Sequence, residues 1–260
     1  MRNLLSPACA ILLLLLASVP GCGGNKILKE PQALELQGPL VVASDSRLAV
    51  AFDWVIVRDG PGTWSKNADW DEYLFRLHNL SDNEITIESV VIFDSMETTI
   101  ESSSDRKQLI RGSKAASKRY EEEDIEVKAG LGGGALVAAG GATAAAGVSA
   151  LSASLAGATG AVGAAGVLVV APVLAVGGVI RGINNSKVSR EIENRHTHLP
   201  MTVSAGDEVV LDIFFPLSPS PVRLQFNYSD TGAKYVLRID TAEVLSGLHL
   251  GAPEQEVIAE

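Results

Sequence analysis

Short runs in which apolar and polar residues alternate occupy two parts of this chain, residues 37–102 and 200–245. A period of two is typical of β-strands that bury one face and expose the other. Clusters rich in Asp, Gly and Pro, such as residues 59–62 and 230–232, separate the runs and indicate tight turns. The pattern therefore predicts a mainly β, antiparallel fold. The apolar positions of the predicted strands are Phe52, Trp54, Ile56, Tyr73, Phe75, Leu77, Ile85, Ile87, Val91, Phe93, Val209, Leu211, Ile213, Phe215, Val222, Leu224, Phe226, Tyr228, Tyr235, Leu237 and Ile239.

The predicted strands in either part are too few to close a sandwich separately. The first part offers about four strands and the second three or four, whereas an immunoglobulin-like sandwich has about seven. One sandwich is therefore predicted, with residues 37–102 as its first half and 200–245 as its second. The sequence from Phe75 to Ile87 resembles the strand–turn–strand of immunoglobulin-like domains in exported bacterial proteins. The alternative is two separate small β units, which would bury little apolar surface.

The two halves are separated by a stretch without any charged residue or histidine, residues 129–180. It contains 13 of the 25 glycines of the chain, and Ala and Val fill most of the rest. A helix needs about 20 apolar residues to cross a bilayer, so the stretch has room for two, at 129–150 and 161–180. A helical hairpin is therefore predicted here.

Small residues recur at four-residue spacing in this stretch, which places them on one face of a helix. Such a face lets two backbones approach closely, as in small-xxx-small packing. The stretch resembles the glycine-zipper segments of bacterial envelope proteins. The residues predicted to pack the hairpin are Gly130, Gly134, Gly157, Gly160 and Ala164.

Three interpretations of the uncharged stretch stay open. The hairpin inserts into a membrane, or it packs against itself or a partner, or the stretch is a low-complexity run without structure. The segment 161–180 is rich in Val and Leu and suits a span, although Pro172 would kink it. The segment 129–150 has few strongly apolar residues and would insert poorly alone.

The N-terminus carries a targeting pattern. Arg2 is followed by a mostly apolar run at 8–17 and then by Val19-Pro20-Gly21-Cys22. This resembles the lipobox of bacterial lipoproteins, which implies that residues 1–21 are removed and Cys22 receives lipid. Residues 22–36 would then be a lipid-anchored tether. One alternative is an ordinary secretory signal in which Cys22 is incidental. A second is an uncleaved anchor helix, for which the apolar run is short.

The same resemblance implies a location. Gly23 follows Cys22, whereas an Asp there commonly retains such lipoproteins in the inner membrane. The expected location is therefore the bacterial cell envelope, on the periplasmic face of the outer membrane. Cys9 would be lost with the leader, so the mature chain has one cysteine and no internal disulfide.

Charge narrows the expected partners. The formal net charge is −10, and an acidic chain does not attract nucleic acid. The expected partners are membrane lipid, an unidentified envelope protein, and further copies of the chain joined through the hairpin. Residues 103–128 are predicted to be a solvated charged linker or helix, with a stalk that holds the hairpin at a membrane as the alternative. Residues 181–199 are predicted to be a charged linker and 246–260 a C-terminal tail.

Candidate chemistry is sparse. His196 and His198 would point to one face if they lay on a strand, which makes them weak candidates for a metal site. The favoured interpretation is an exposed pair in a linker, because a third ligand is not evident. No nucleophile motif or phosphate loop occurs, so neither catalysis nor a cofactor is expected. Trp54 is predicted to lie in the core, and Trp64 and Trp70 in an exposed binding loop or a lid over the sandwich edge.

These observations favour a non-enzymatic envelope lipoprotein. Its sandwich would be an interaction module, and its hairpin would insert in a membrane or self-associate. The first alternative is an oligomeric pore-forming or translocation component assembled from several hairpins. The second is a periplasmic sandwich that binds a small ligand or a metal.

Overall fold

Antiparallel strands dominate the residues that the computed structural model describes, which are 25–31, 33–36, 38–131, 168–169 and 185–251. The mainly β prediction is therefore confirmed. The strands are β1 (Lys26–Ile27), β2 (Glu35–Leu36), β3 (Val41–Ser44), β4 (Leu48–Ile56), β5 (Ser65–Lys66), β6 (Trp70–Asn79), β7 (Ile85–Phe93), β8 (Thr99–Glu101), β9 (Leu168–Val169), β10 (Met201–Val203), β11 (Glu208–Pro216), β12 (Arg223–Asp230) and β13 (Ala233–Asp240). The helices are α1 (Arg106–Glu121) and α2 (Asn185–Arg195).

Two antiparallel sheets each combine strands from both predicted halves. The first has the order β11-β6-β4-β3, and the second has the order β10-β7-β12-β13. β11 pairs with β6 from Glu208↔His78 to Pro216↔Trp70, and β12 pairs with β7. Because strands more than a hundred residues apart are neighbours, the two halves form one β unit. The finer immunoglobulin-like description stays a prediction.

The inner faces of the two sheets share one hydrophobic core. Alternate residues of β6, among them Tyr73 and Phe75, point into it and are fully buried. The ring of Phe75 meets the ring of Phe226 from the other sheet edge to face, with centroids 5.1 Å apart. Burying a side chain of this size stabilises a fold by about 1.5–3 kcal/mol. The core therefore accounts for the period of two seen along the strands.

The inserted part of the chain leaves and rejoins the second sheet at one edge. β8 pairs with Val91–Phe93 and β10 with Ile85–Ile87, both on the side of β7 that does not face β12. The insertion thus runs from residue 102 to 200, and the strands before and after it, β8 and β10, both pair with β7. This arrangement allows a long insertion without breaking either sheet.

The predicted charged segment 103–128 contains α1, which packs against the sandwich. The side chain of Asp105 caps the helix by accepting from the backbone N–H of Lys107 at 2.7 Å. The buried residues follow a spacing of four, three and four, which is one helical stripe. They are Leu109, Ser113, Ala116 and Tyr120.

The prediction of a charged linker at 181–199 was wrong over residues 185–195, which form α2. Only Val188 and Ile192 of this helix are buried. Two apolar residues among many charged ones give too weak a periodic pattern to predict a helix. They pack against Trp64 and Trp70 in a second, smaller core. Both tryptophans are 2% exposed, which corrects the expectation of an exposed loop, whereas Trp54 lies in the main core as predicted.

The two segments next to the termini are more ordered than predicted. In the predicted tether, Leu34 and Leu36 are buried in the main core. The predicted C-terminal tail begins as folded chain, because Leu248 and His249 are buried. Both corrections have the same cause, since apolar side chains of these short segments pack into the main core.

Most of the predicted hairpin, including Gly134, Gly157, Gly160 and Ala164, lies outside the described residues. Gly130 has a φ of 115°, so the first predicted helix does not begin at residue 129. Leu168–Val169 forms a strand with Glu35–Leu36, so the second predicted helix is wrong at these two residues. Within the described part of the chain, no helix is both long and apolar enough to cross a membrane.

Candidate functional site

One end of the sandwich is covered by α1 and gathers the inserted and terminal segments. We call it the helix-covered end; it comprises residues 57–69, 94–98, 217–222 and 241–251. The hydroxyl of Ser113 in α1 accepts from the N–H of Leu217 at 2.9 Å, next to the first sheet. The hydroxyl of Tyr120 lies 2.8 Å from that of Ser95, next to the second sheet. The helix therefore lies across both sheets.

The N-terminal junction of the fold is held at this end. Asn25, three residues after Cys22, is 5% exposed. Its side-chain amide donates to the carbonyl oxygen of Asn67, and its Oδ1 accepts from Arg106 Nη1 at 2.6 Å. The first described residue after the predicted lipidation site is therefore fixed and not part of a loose tether.

Both junctions of the uncharged stretch reach the same end. Gly130 passes the loop 57–69 so closely that a Cβ there would lie 3.1 Å from the carbonyl oxygen of Arg58. At the other junction, Arg106 Nε donates to Ser189 Oγ at 3.2 Å. Ser189 is about one helical turn, 5.4 Å, from Asn185, where α2 begins. The N-terminal segment, the start of the uncharged stretch and the first helix described after it thus converge beside one loop.

A buried ionic network joins α2 to the outer face of the first sheet. Glu72 is 1% exposed. Its Oε1 accepts from Arg195 Nη1 at 2.9 Å, and its Oε2 accepts from the indole N–H of Trp64 at 2.5 Å. The guanidinium of Arg195 also lies 4.9 Å from the centre of the Trp64 ring and binds Glu191 at 2.9 Å. The arginine therefore fastens the helix to both the sheet and the loop.

Asp212 lies beside this network as a third carboxyl, after Glu72 and Glu191. Burial and the neighbouring Glu72 carboxylate raise the pKa of Asp212 well above its usual range. Its backbone N–H bonds to the hydroxyl of Thr197 at 3.0 Å, directly after α2. The positive charge of Arg195 is shared between Glu72 and Glu191. Asp212 therefore keeps its proton to higher pH than an exposed aspartate.

A second buried pair lies on the inner face, where His249 Nε2 is 2.7 Å from Asp71 Oδ2. Both side chains are 0% exposed. Burial raises the pKa of Asp71, and the adjacent His249 partly opposes that rise. Among the described residues, Asp71 Oδ1, Tyr73 Oη and His249 Nδ1 have no hydrogen-bond partner. Because the pair is enclosed, it ties the C-terminal segment to β6 and does not face a solute.

The two candidate metal ligands lie close together, with ring centroids 6.0 Å apart, but they differ in burial. His196 and His198 follow α2 in irregular chain and not on a strand, and their rings stand nearly perpendicular. His196 Nδ1 accepts from the N–H of Phe214 at 3.3 Å, and burial lowers the pKa of His196 to about 4. His198 is exposed. Within the described ranges, no group of three His, Cys, Asp or Glu residues is arranged to hold a metal ion.

Sequence reasoning missed the residues that hold the insertion in place. Asp71 and Glu72 are adjacent charged residues inside a strand whose neighbours are mostly apolar, and that was the available signal. Arg195 gave no signal because it lies among other charged residues. Cys22, the most specific residue predicted from sequence, lies outside the described residues.

No protein-family model, no curated protein and no solved structure is significantly similar to this chain.

Proposed function

We propose that this chain is a non-enzymatic, lipid-anchored protein of the bacterial cell envelope. Its helix-covered end faces the membrane, and its opposite end is available to an envelope partner. In this proposal Cys22 carries the lipid, and the uncharged stretch inserts into that membrane or self-associates beside it. The β unit acts as the interaction module.

The convergence of the three junctions supports this orientation. A lipid on Cys22 is separated from the fixed residue Asn25 by only two residues, which span at most about 3.6 Å each. The anchored end therefore lies close to the bilayer. Leu131 and Asn185, the described residues that flank most of the uncharged stretch, both belong to segments at this end of the fold. A hairpin returns both ends to one side, which suits this placement of the flanking segments.

The opposite end is formed by four turns, and we call it the open end. Its turns are residues 45–47, 80–84, 204–207 and 231–232, which connect strands far from the junctions. The side-chain pair Arg47–Asp230, at 3.1 Å, ties two of these turns together. Such turns on a rigid sheet are where binding residues of β proteins commonly lie, so we assign the partner-binding role to this end.

The orientation is testable with a fluorophore attached to one introduced cysteine, because an acylated Cys22 leaves no other thiol in the mature chain. Lys66→Cys places the probe on β5, at the helix-covered end, and Lys234→Cys places it next to the open end. Both residues are exposed. In vesicles containing lipids with a nitroxide quencher on the headgroup, the probe at position 66 should be quenched strongly and the probe at 234 weakly.

Equal quenching at both positions would contradict the orientation. The anchor itself is tested by metabolic labelling with a fatty acid. Cys22→Ser should abolish the label, and an undiminished label on that variant would remove the lipid anchor from the proposal.

A further inference from the structure

The exposed face of α1 carries a row of cations opposite its buried stripe. The cations follow a spacing of four, three and four residues, so they lie on one face of the helix. They are Lys107, Arg111, Lys114 and Lys118, and all four are exposed. With a rise of 1.5 Å per residue, the row is about 16 Å long. We call it the basic row.

The basic row has few acidic partners. Lys118 approaches Glu122 at 3.9 Å, whereas Lys107, Arg111 and Lys114 make no ion pair with any described residue. Positive charges without partners repel one another along a helix. The electrostatic repulsion within the basic row thus destabilises α1, and a bound external anion would reduce that repulsion.

The position of the basic row follows from the packing of α1. The buried stripe of the helix faces the sandwich, so the opposite face points away from the helix-covered end. Arg106, next to the first cation of the row, holds Asn25. The row therefore begins beside the N-terminal junction and lies on the surface that the proposed lipid anchor brings to the bilayer.

Positive charge is concentrated on the exposed face of α1 and not on the loops of either end. In the loops of the helix-covered end the acids Asp59, Asp69, Asp94, Glu97 and Glu243 outnumber the cations Arg58 and Lys66. Around the open end, acidic residues outnumber the two basic residues, Arg47 and Lys234. The acids are Asp45, Asp82, Glu84, Asp207, Glu208 and Asp230. An anionic surface would attract the basic row on the exposed face of α1 and repel the open end. Residues 121–124 are acidic and follow the row, so contact with an anionic surface is limited to the part of α1 before them.

We infer that the basic row is a docking surface for anionic phospholipid headgroups. This inference rests on the proposed lipid-anchored function and adds the lipid class that the anchored end prefers. Charge complementarity and the neighbouring junction at Asn25 favour lipid over an acidic protein. Each cation near an anionic surface strengthens binding about fivefold, so reversing two of them should weaken docking at least about 25-fold.

The test uses the full mature chain with a fluorophore at Ala115→Cys, an exposed position of α1 outside the basic row. The protein is added to vesicles of phosphatidylcholine with or without phosphatidylglycerol, both containing a headgroup quencher. Flotation with the neutral vesicles reports the anchor, and extra quenching with phosphatidylglycerol reports docking. We expect the extra quenching in the parent and its loss in Lys107→Glu/Lys114→Glu.

The matched control is Lys234→Glu/Arg238→Glu, which changes the net charge equally on exposed residues of β13. It should keep the extra quenching. Equal loss in both variants, or no effect of phosphatidylglycerol on the parent, would overturn the docking surface even if the protein floats. If the protein floats and is quenched with vesicles that contain phosphatidylglycerol but not with neutral vesicles, the basic row binds anionic lipid and the lipid anchor is overturned. If anionic lipid has no effect but a crosslinker at Lys114 captures an acidic protein, the row belongs to a protein interface.

Discussion

Asp71 and Glu72 are neighbours in β6, yet their side chains are buried on opposite faces of the same sheet. Asp71 points inward and pairs with His249 of the C-terminal segment. Glu72 points outward and binds Arg195 of α2 together with the indole of Trp64. Two adjacent carboxyls thus hold two different segments against one strand.

The two sites differ in how completely the oxygens of their central carboxylates are satisfied, although on the outer face Asp212 Oδ1 also has no partner among the described residues. Both oxygens of Glu72 accept hydrogen bonds from donors on separate elements. On the inner face, Asp71 Oδ1 and His249 Nδ1 have no partner among the described residues. A buried polar group without a partner costs about 1–3 kcal/mol. The outer network should therefore stabilise the fold more than the inner pair, and breaking it should cost more.

The largest effect is expected from Arg195→Met. Methionine keeps an apolar stem against Trp64 but leaves Glu72 buried without its cation. Removing one partner of a buried ion pair typically costs about 3–5 kcal/mol. Urea unfolding followed by circular dichroism should show a loss of stability in that range. In the control Lys128→Met, which breaks the exposed pair with Glu126, the loss should stay below about 1 kcal/mol.

A second substitution identifies the cause. Glu72→Gln in the Arg195→Met background removes the unpaired charge while keeping an acceptor for Trp64, so part of the lost stability should return. If the double variant is as unstable as the sum of the two single variants, the network is not an interacting unit.

A smaller effect is expected from Gly112→Ala, which tests how closely α1 approaches the outer face. A Cβ at this position would lie 2.5 Å from Cγ and 2.8 Å from Cβ of Pro216. Alanine favours a helix over glycine by about 1 kcal/mol, but overpacking costs about 1–3 kcal/mol, so we expect a net loss of stability of roughly 1 kcal/mol. Thermal unfolding would measure it.

Gly38→Ala is the control, because no atom lies within 4 Å of a Cβ built there. It should change stability by less than about 1 kcal/mol. A gain in stability for Gly112→Ala would mean that α1 is free to shift away from the sheet.

The smallest effect is a change in pH dependence from Asp71→Asn. The folded-state pKa of Asp71 is raised above its ordinary value of 3.8. The folded protein therefore binds this proton more tightly than the unfolded chain does, and stability falls as pH rises from 3.8 through the raised pKa. Asparagine has no such proton. The difference in stability between variant and parent should thus shift in favour of the variant over that interval, as measured by urea unfolding at several pH values.

His196 should show the opposite sign. Its folded-state pKa of about 4 lies below the ordinary 6.5, so its contribution is fully present above 6.5 and is lost as pH falls towards 4. His196→Gln should remove that loss on acidification.

For Asp71→Asn, the contradicting outcome is a plot of unfolding free energy against pH that runs parallel to that of the parent at all pH values. It would show that the inner carboxyl titrates as an exposed one.

The strands were predictable because their signal is local. Residues such as Phe75 and Leu77, or Leu211 and Ile213, alternate with polar neighbours, and that period appears in the sequence whatever the strands pair with. α2 was not predictable in the same way, since only Val188 and Ile192 mark its buried face. A helix with two buried residues depends on its tertiary contacts, and no local pattern distinguishes it from a charged linker.

The sequence by itself determined the mainly β fold, the two-part arrangement of the strands and the position of the uncharged stretch. Only the tertiary structure decided that β6 pairs with β11, that Asp71 and Glu72 hold different segments, and that Asn25, Gly130 and α2 meet beside one loop. The reason is physical. Periodicity reports which side of an element is buried, whereas the choice of partner among distant segments depends on how side chains from the whole chain fill one core and satisfy its buried polar groups.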